Sequence, residues 1–258
     1  MILGARLVRS AVGSKLAYSK EVCDVPSVQT QTQTQTRRGG LQCIAASPSG
    51  PRAFCLTPPP VVHHHRCKEA REDNRDEVVV VFRGTSGLAD VRDLLNATTA
   101  EFRFRQERVR VHAGMLSAFS EMEAELTDAL LRQRPAAVTF AGHSKGGCHA
   151  QFAAAYYKSM LGERVRVSCH TFGALAAGDR SFTEWYCRSA DESVLLLNRA
   201  DPAGWLSSSD GTQPPVQGFS TGALVECPLK AHDMDTYLEH VLSCISFRDG
   251  GKPPPGKK

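Results

Sequence analysis

The stretch that most limits what this chain can fold into is residues 138–157, Val-Thr-Phe-Ala, then Gly142-His143-Ser144-Lys145-Gly146-Gly147, then an Ala-rich run ending at Tyr157. β-branched and aromatic residues suit a strand and alanines suit a helix, so Ser144 falls on a corner between the two. The glycines two before and two after it fit a turn in which neighbouring backbone comes too close for a Cβ. Such a corner pushes one hydroxyl outward, and the helix that follows aims its first N–H groups at the same place, where a developing oxyanion is stabilised. Three fixed positions alone are weak, and the flanking strand and helix give them weight.

Composition narrows the field. With 258 residues and 41% hydrophobic content the chain can bury one substantial core, and α/β enzymes of this size are often a single domain. The expected division is a basic N-terminal helix and a flexible Gln/Thr-rich insertion over residues 1–50, a catalytic domain over 51–248, and a disordered basic tail over 249–258. The net charge of +4 is small and no stripe of Lys and Arg with interleaved aromatics appears, which argues against nucleic acid as a partner. Nine cysteines without metal-type pairs, and no N-terminal apolar segment with a cleavage site, read most simply as reduced thiols in an intracellular compartment. A secreted, partly disulfide-bonded form is the alternative. No apolar run reaches the length of a transmembrane helix.

Residues 1–20 carry Arg6, Arg9, Lys15 and Lys20 among apolar residues and no acid. They suit either a helix lying on a membrane surface, or a transit segment, or a first helix packed on the domain. The Gln-Thr repeat at 29–36 is too polar to bury a face. His63, His64, His65 and Cys67 invite a metal, but adjacent histidines do not converge on one ion and no second cluster follows, so a solvated loop is expected. Val78-Val79-Val80-Val81-Phe82 reads as a central strand covered on both faces, and it ends in the turn Arg83-Gly84-Thr85. A short helix is expected at 88–95 and an exposed strand or hairpin at 102–111. Residues 114–134 should form an amphipathic helix with Leu116, Phe119, Met122, Leu126, Leu130 and Leu131 inward. Further strands are expected at 165–173 and 193–198, with another within 218–227, and the last helix at 234–247.

A serine nucleophile needs a base to take its proton and a carboxylate to orient that base, in the chain order Ser, acid, His for this strand-turn-helix corner. Past Asp201 the sequence holds only His232 and His240. His240 lies inside a helical pattern, whereas His232 precedes the helix on an expected loop, which makes His232 the candidate base. Asp201 follows a buried-strand pattern and precedes Pro202, so it is preferred as the acid over Asp179, which suits a cap, and Asp191, in a charged loop. The oxyanion donors expected are the backbone N–H of Lys145 and, from a second loop at the same edge, Thr85.

Taken together, Phe82-Arg83-Gly84-Thr85, Asp90 and Asp93-Leu94, Val111-His112-Ala113-Gly114, Gly142 to Gly147, Thr171-Phe172-Gly173, Asn198 to Pro202 and His232 to Tyr237 resemble the class-three lipases. These are the fungal-type triacylglycerol lipases and related plant phospholipases. The resemblance covers residues 78–242 with all blocks in order. It implies an α/β-hydrolase fold, a mostly parallel central sheet with helices on both faces, and a triad of Ser144, Asp201 and His232. It also implies oxyanion donors at Thr85 and Lys145, a lid within 86–99, no metal and no cofactor. The implied substrate is a lipid ester, met at a membrane or lipid-droplet surface, with a catalytically weak or inactive lipid-binding protein as the alternative. Lys145, Val91, Met115 and Ala174-Leu175 depart from the family's usual leucine, tryptophan, phenylalanine and proline, which bears on pocket and lid rather than on the triad.

Overall fold

The computed structural model describes residues 2–18, 41–46, 52–56, 77–84, 98–203, 217–219 and 228–248. Its spine is a seven-stranded sheet in the order β1 (Leu41–Ala46), β2 (Arg52–Leu56), β3 (Glu77–Phe82), β6 (Ala137–His143), β7 (Arg166–Phe172), β8 (Glu192–Asn198) and β9 (Gln217–Phe219). The pairings of β1 with β2 and β2 with β3 are antiparallel, and all those from β3 to β9 are parallel. One row of paired residues runs Val80, Phe140, Cys169, Ser193 across the parallel part. The remaining strands, β4 (Thr99–Phe104) and β5 (Glu107–His112), form a separate hairpin.

Every residue of β3 is buried, as a run of valines flanked by strands on both sides and helices on both faces requires. Val78, Val80 and Phe82 face a large core under α2 (Ala113–Gln133), α3 (Lys145–Leu161) and α4 (Arg180–Ser189), while Val79 and Val81 join Ala17, Phe54 and Ala141 on the opposite face. Rings dominate the first core. Phe152 of α3 lies 4.9 Å from Phe119 and 5.0 Å from Phe102, with Phe182 and Trp185 each at 6.2 Å. Those spacings suit edge-to-face and offset contacts. The hairpin at 102–111 is therefore half inside: Phe102 and Phe104 turn toward this cluster. Arg103 and Arg108 stay outside and pair with Glu101.

In α2 the buried stripe is Met115, Ala118, Phe119, Met122, Leu126, Ala129 and Leu130. Leu131, expected to face inward, is 54% exposed, and Leu116 is only partly buried. One residue past Leu130 turns the helix by about 100°, enough to carry Leu131 off the stripe.

The opposite face is covered by α1 (Ile2–Leu16) and α6 (Met234–Arg248), whose Ala11, Met234, Tyr237 and Val241 form a small cluster with Phe172, Val194 and Leu196 of the sheet. Of the readings weighed for residues 1–20, the structure shows the packed helix. Its charges do not all face water: Arg6 is 6% exposed, and its Nε lies 3.3 Å from Glu77 Oε1, with Arg9 Nη1 3.5 Å from Glu77 Oε2. The pairing rests on charge, since Arg6 Nε and Glu77 Oε2 complete no hydrogen bond. Two further bridges pin the helix, from Ser10 Oγ to His170 Nδ1 at 2.8 Å and from Lys15 Nζ to Asp235 at 2.7 Å. The sheet itself begins at Leu41, ahead of the expected boundary at residue 51. Residues 29–36, 63–67, 88–95 and the tail lie outside those described, as does the proposed strand at 218–227 apart from Gly218 and Phe219.

Candidate active site

Ser144 sits where β6 meets α3, at φ 55° and ψ −127°, a backbone conformation that side chains rarely adopt. Close approach explains the glycines. A Cβ on Gly142 would lie 2.3 Å from the backbone of Gly146, and one on Gly146 would lie 2.2 Å from Phe82 O. The corner, the start of α3 and the end of β3 thus occupy one another's space, which only hydrogen in place of Cβ permits. Ser144 is held by its N–H to Phe172 O at 3.0 Å and by its own carbonyl, which accepts from Gly147 N at 2.9 Å. Its side chain makes no cap bond to α3. The first N–H groups of a helix have no partner inside it, so those that open α3 are available to a ligand at the corner.

Asp201 follows β8, fully buried, at the carboxyl ends of the parallel strands where Ser144 also lies. Its carboxylate is saturated with donors. Ala203 N donates to Oδ1 at 2.7 Å, Tyr237 Oη donates to Oδ2 at 2.5 Å, and His232 Nδ1 lies 2.9 Å from Oδ1 and 2.8 Å from Oδ2. A carboxylate accepts only, so His232 carries its proton on Nδ1 and keeps Nε2 free to take one. Burial first, and then the Asp201 charge, push the Tyr237 phenol well above its ordinary value, so it stays a donor. The two competing acids are engaged elsewhere. Asp179 caps α4, accepting from Ser181 N and Phe182 N. Asp191 accepts from Val167 N and Lys158 Nζ at the amino ends of the strands.

His232 was expected on a loop and instead ends a short helix, α5 (Pro228–His232), just before α6. Three consecutive carbonyls hold this segment. Lys230 O accepts from Thr236 Oγ1 at 2.7 Å, Ala231 O from Asn198 Nδ2 at 3.3 Å, and His232 O from His143 Nε2 at 2.6 Å. The His143 and His232 rings lie 4.7 Å apart. His143 is one residue from Ser144, so the base candidate stands beside the serine's strand end. Among the described residues no hydrogen bond reaches Ser144 Oγ. His143 is 7% exposed, and burial, then the neighbouring His232, push its pKa down to about 4, so it is neutral near pH 7.

The structure brings Ser144, Asp201, His232 and Lys145, to which the sequence points, to this edge together with His143, Asn198 and Tyr237, to which the sequence assigns no role. Each of those three lay inside a quoted motif block, yet only their neighbours were given roles. Thr85, residues 86–97 of the lid region and His63 to Cys67 lie outside the described residues. No group of three His, Cys, Asp or Glu suited to a metal occurs among the described residues. Nor is any described helix long and apolar enough to cross a membrane. Cys55, Cys148, Cys169, Cys187 and Cys244 are free thiols.

A family model described as lipase (class 3) matches residues 79–209, half of the chain. The chain belongs to the class 3 lipase family. Among solved structures, this class 3 lipase chain is similar to lipase II from Rhizopus niveus, at 18% identity over 85% of this chain and 82% of that one, with a TM-score of 0.58. It is similar to the triacylglyceride lipase of Rhizomucor miehei at 18% identity over 83% and 77%, TM-score 0.57. It is also similar to a triacylglycerol lipase from Penicillium expansum at 11% identity over 84% and 79%, TM-score 0.54. At these identities the likeness shows the fold, and that fold is the α/β-hydrolase fold, its mostly parallel sheet covered by helices on both faces.

Proposed function

We propose that this chain hydrolyses carboxylic ester bonds of acylglycerols or phospholipids at a lipid surface, using Ser144 as nucleophile, His232 as base and Asp201 as the acid that orients it. The observation that carries this reading is the buried Asp201 carboxylate holding His232 Nδ1 at 2.8 Å beside the positive-φ serine. His232 Nε2 takes the Ser144 proton as Oγ attacks the ester carbonyl. The Lys145 N–H, with Thr85 as second donor, stabilises the oxyanion. His232 then gives that proton to the leaving alcohol, and water deprotonated by the same nitrogen releases the fatty acid. Asp201 accepts from three neighbouring groups and offsets the imidazolium formed in each half-reaction.

The named actions of two of the similar structures, on triacylglycerols, support a neutral glyceride as substrate. A lipid-binding protein without turnover is the second reading, favoured by the missing hydrogen bond from Ser144 Oγ to His232. Turnover of a short-chain p-nitrophenyl ester and of emulsified triacylglycerol separates the two. Wild type should hydrolyse both, and Ser144→Ala should lose on the order of 10⁴-fold or more in kcat while melting at an unchanged temperature. Equal, background-level rates for wild type and Ser144→Ala would leave the binding protein. A comparison on mixed glycerolipids and phospholipids then assigns the lipid class.

A further inference from the structure

Tyr18 follows α1 directly and lies outside the matched family segment, yet its hydroxyl ends up in the site. Its Oη is 3.0 Å from His143 Nδ1, and the two rings meet edge to face at 5.7 Å. A Cβ on Gly84 would lie 2.2 Å from the same hydroxyl, so glycine at 84 leaves the room that the hydroxyl occupies. From Tyr18 the chain of contacts continues through His143 Nε2 to His232 O at 2.6 Å.

The direction of each bond follows from the acceptor at the end. A carbonyl oxygen only accepts, so His143 carries its proton on Nε2, Nδ1 is a bare acceptor, and Tyr18 Oη donates to it. The Tyr18 hydroxyl and the His232 carbonyl select the same tautomer from the two sides of the ring; without the donor at Nδ1 the carbonyl alone selects it against an Nδ1 left buried without its partner, and the other tautomer leaves His232 O without one. Nδ1 would then carry the proton. We infer that Tyr18 is a positioning residue for hydrolysis: it fixes the tautomer of His143, and His143 in turn fixes the backbone that carries His232. The inference rests on the esterase reading given above. It also gives the buried polar contacts under α1 a purpose, since Arg6, Arg9 and Ser10 lock the helix whose end delivers Tyr18.

The test is Tyr18→Phe, which keeps the ring and removes one hydroxyl. Loss of one buried hydrogen bond that acts through the base should lower kcat roughly tenfold, with KM for a soluble ester unchanged. ¹⁵N-histidine NMR should show one His143 tautomer, Nε2–H, in wild type and a mixture in the variant. A wild-type kcat in Tyr18→Phe, or a single unchanged His143 tautomer, overturns the inference. So does a fall in activity matched by a fall in folded fraction. Should wild type show no turnover, the esterase reading fails by itself, and an unchanged tautomer in Tyr18→Phe would then remove the Tyr18 contact as well.

Discussion

The two faces of the sheet are built in opposite ways. Under α2, α3 and α4 the core is mostly rings and aliphatics, centred on Phe152, with hydrogen bonds such as Thr127 to Tyr157 and Trp185 to Ser159 beside it. Under α1 and α6 the apolar cluster is small and much of the contact is polar: Arg6 and Arg9 on Glu77, Ser10 on His170, Tyr18 on His143, Tyr237 on Asp201. Apolar burial is non-directional and supplies stability, whereas hydrogen bonds and ion pairs fix where atoms sit. The face that carries His232 and Asp201, the proposed base and acid, is the directional one. That division suggests that damage to the first face should lower stability alone, and damage to the second should lower stability and turnover together.

Phe152→Ala probes the first face and should have the largest effect on stability, about 3–5 kcal/mol, because a ring at the centre of the aromatic cluster leaves a cavity that its neighbours fill only in part. Denaturant melts should register that loss, while kcat per folded molecule stays at the wild-type value. Glu77→Gln probes the second face. It leaves two guanidinium groups beside a neutral amide, one of them nearly buried, and breaking a buried pair from one side costs about 3 kcal/mol. Here kcat should fall as well, because α1 loosens and Tyr18 moves with it. Equal effects of the two substitutions on kcat would erase the distinction between the faces.

How much of this was legible in the sequence follows the same line. The ring-filled face came almost directly from pattern: the valines of β3, the period of α2 and the Ala-rich α3 each carry their own local signal. Glycine spacing marked the Ser144 corner because the clash it avoids is between residues close in sequence, apart from Phe82. The polar face was not legible. Arg6 and Glu77 look like solvated charges until the fold brings helix and strand together. His143 looked like an incidental residue of a motif, because its partners, Tyr18 and His232, lie 125 and 89 positions away. Asp201 stands out because its strand pattern and following proline are local, while the donors that saturate it come from Ala203, His232 and Tyr237.

Each face also holds a buried histidine whose pKa burial lowers, His149 on the first and His143 on the second, and pH compares them. His149 of α3 is fully buried and stacks 5.9 Å from Phe82, with Nδ1–H donating to Lys145 O at 2.9 Å. Burial pushes it to about 4, as burial and then His232 do for His143. Both folded values lie below the ordinary value near 6.5, so the unfolded chain binds more protons between pH 6.5 and 4. The stability that these groups contribute is complete above pH 6.5 and is lost as pH falls through that window. Between pH 7 and 5 each should account for about 1–2 kcal/mol of unfolding free energy. Urea melts of wild type and His149→Phe at the two pH values measure the share of the first face. A pH slope unchanged by His149→Phe would mean that His149 does not titrate in this window.

The smallest effect is expected at the outer end of the polar face. Lys15 and Asp235 join α1 to α6 at 2.7 Å, but their side chains are 41% and 57% exposed. Water and salt screen such a pair, and holding two flexible side chains costs most of what the attraction supplies. Lys15→Ala should therefore change stability by less than about 1 kcal/mol, and by less still at 0.5 M salt. Because Tyr18 N also bonds Lys15 O at 3.1 Å through the backbone, which alanine retains, the Tyr18 contact and kcat should survive. A drop in kcat as large as that of Glu77→Gln would show that the solvent-facing end of α1, rather than its buried charges, sets the place of Tyr18.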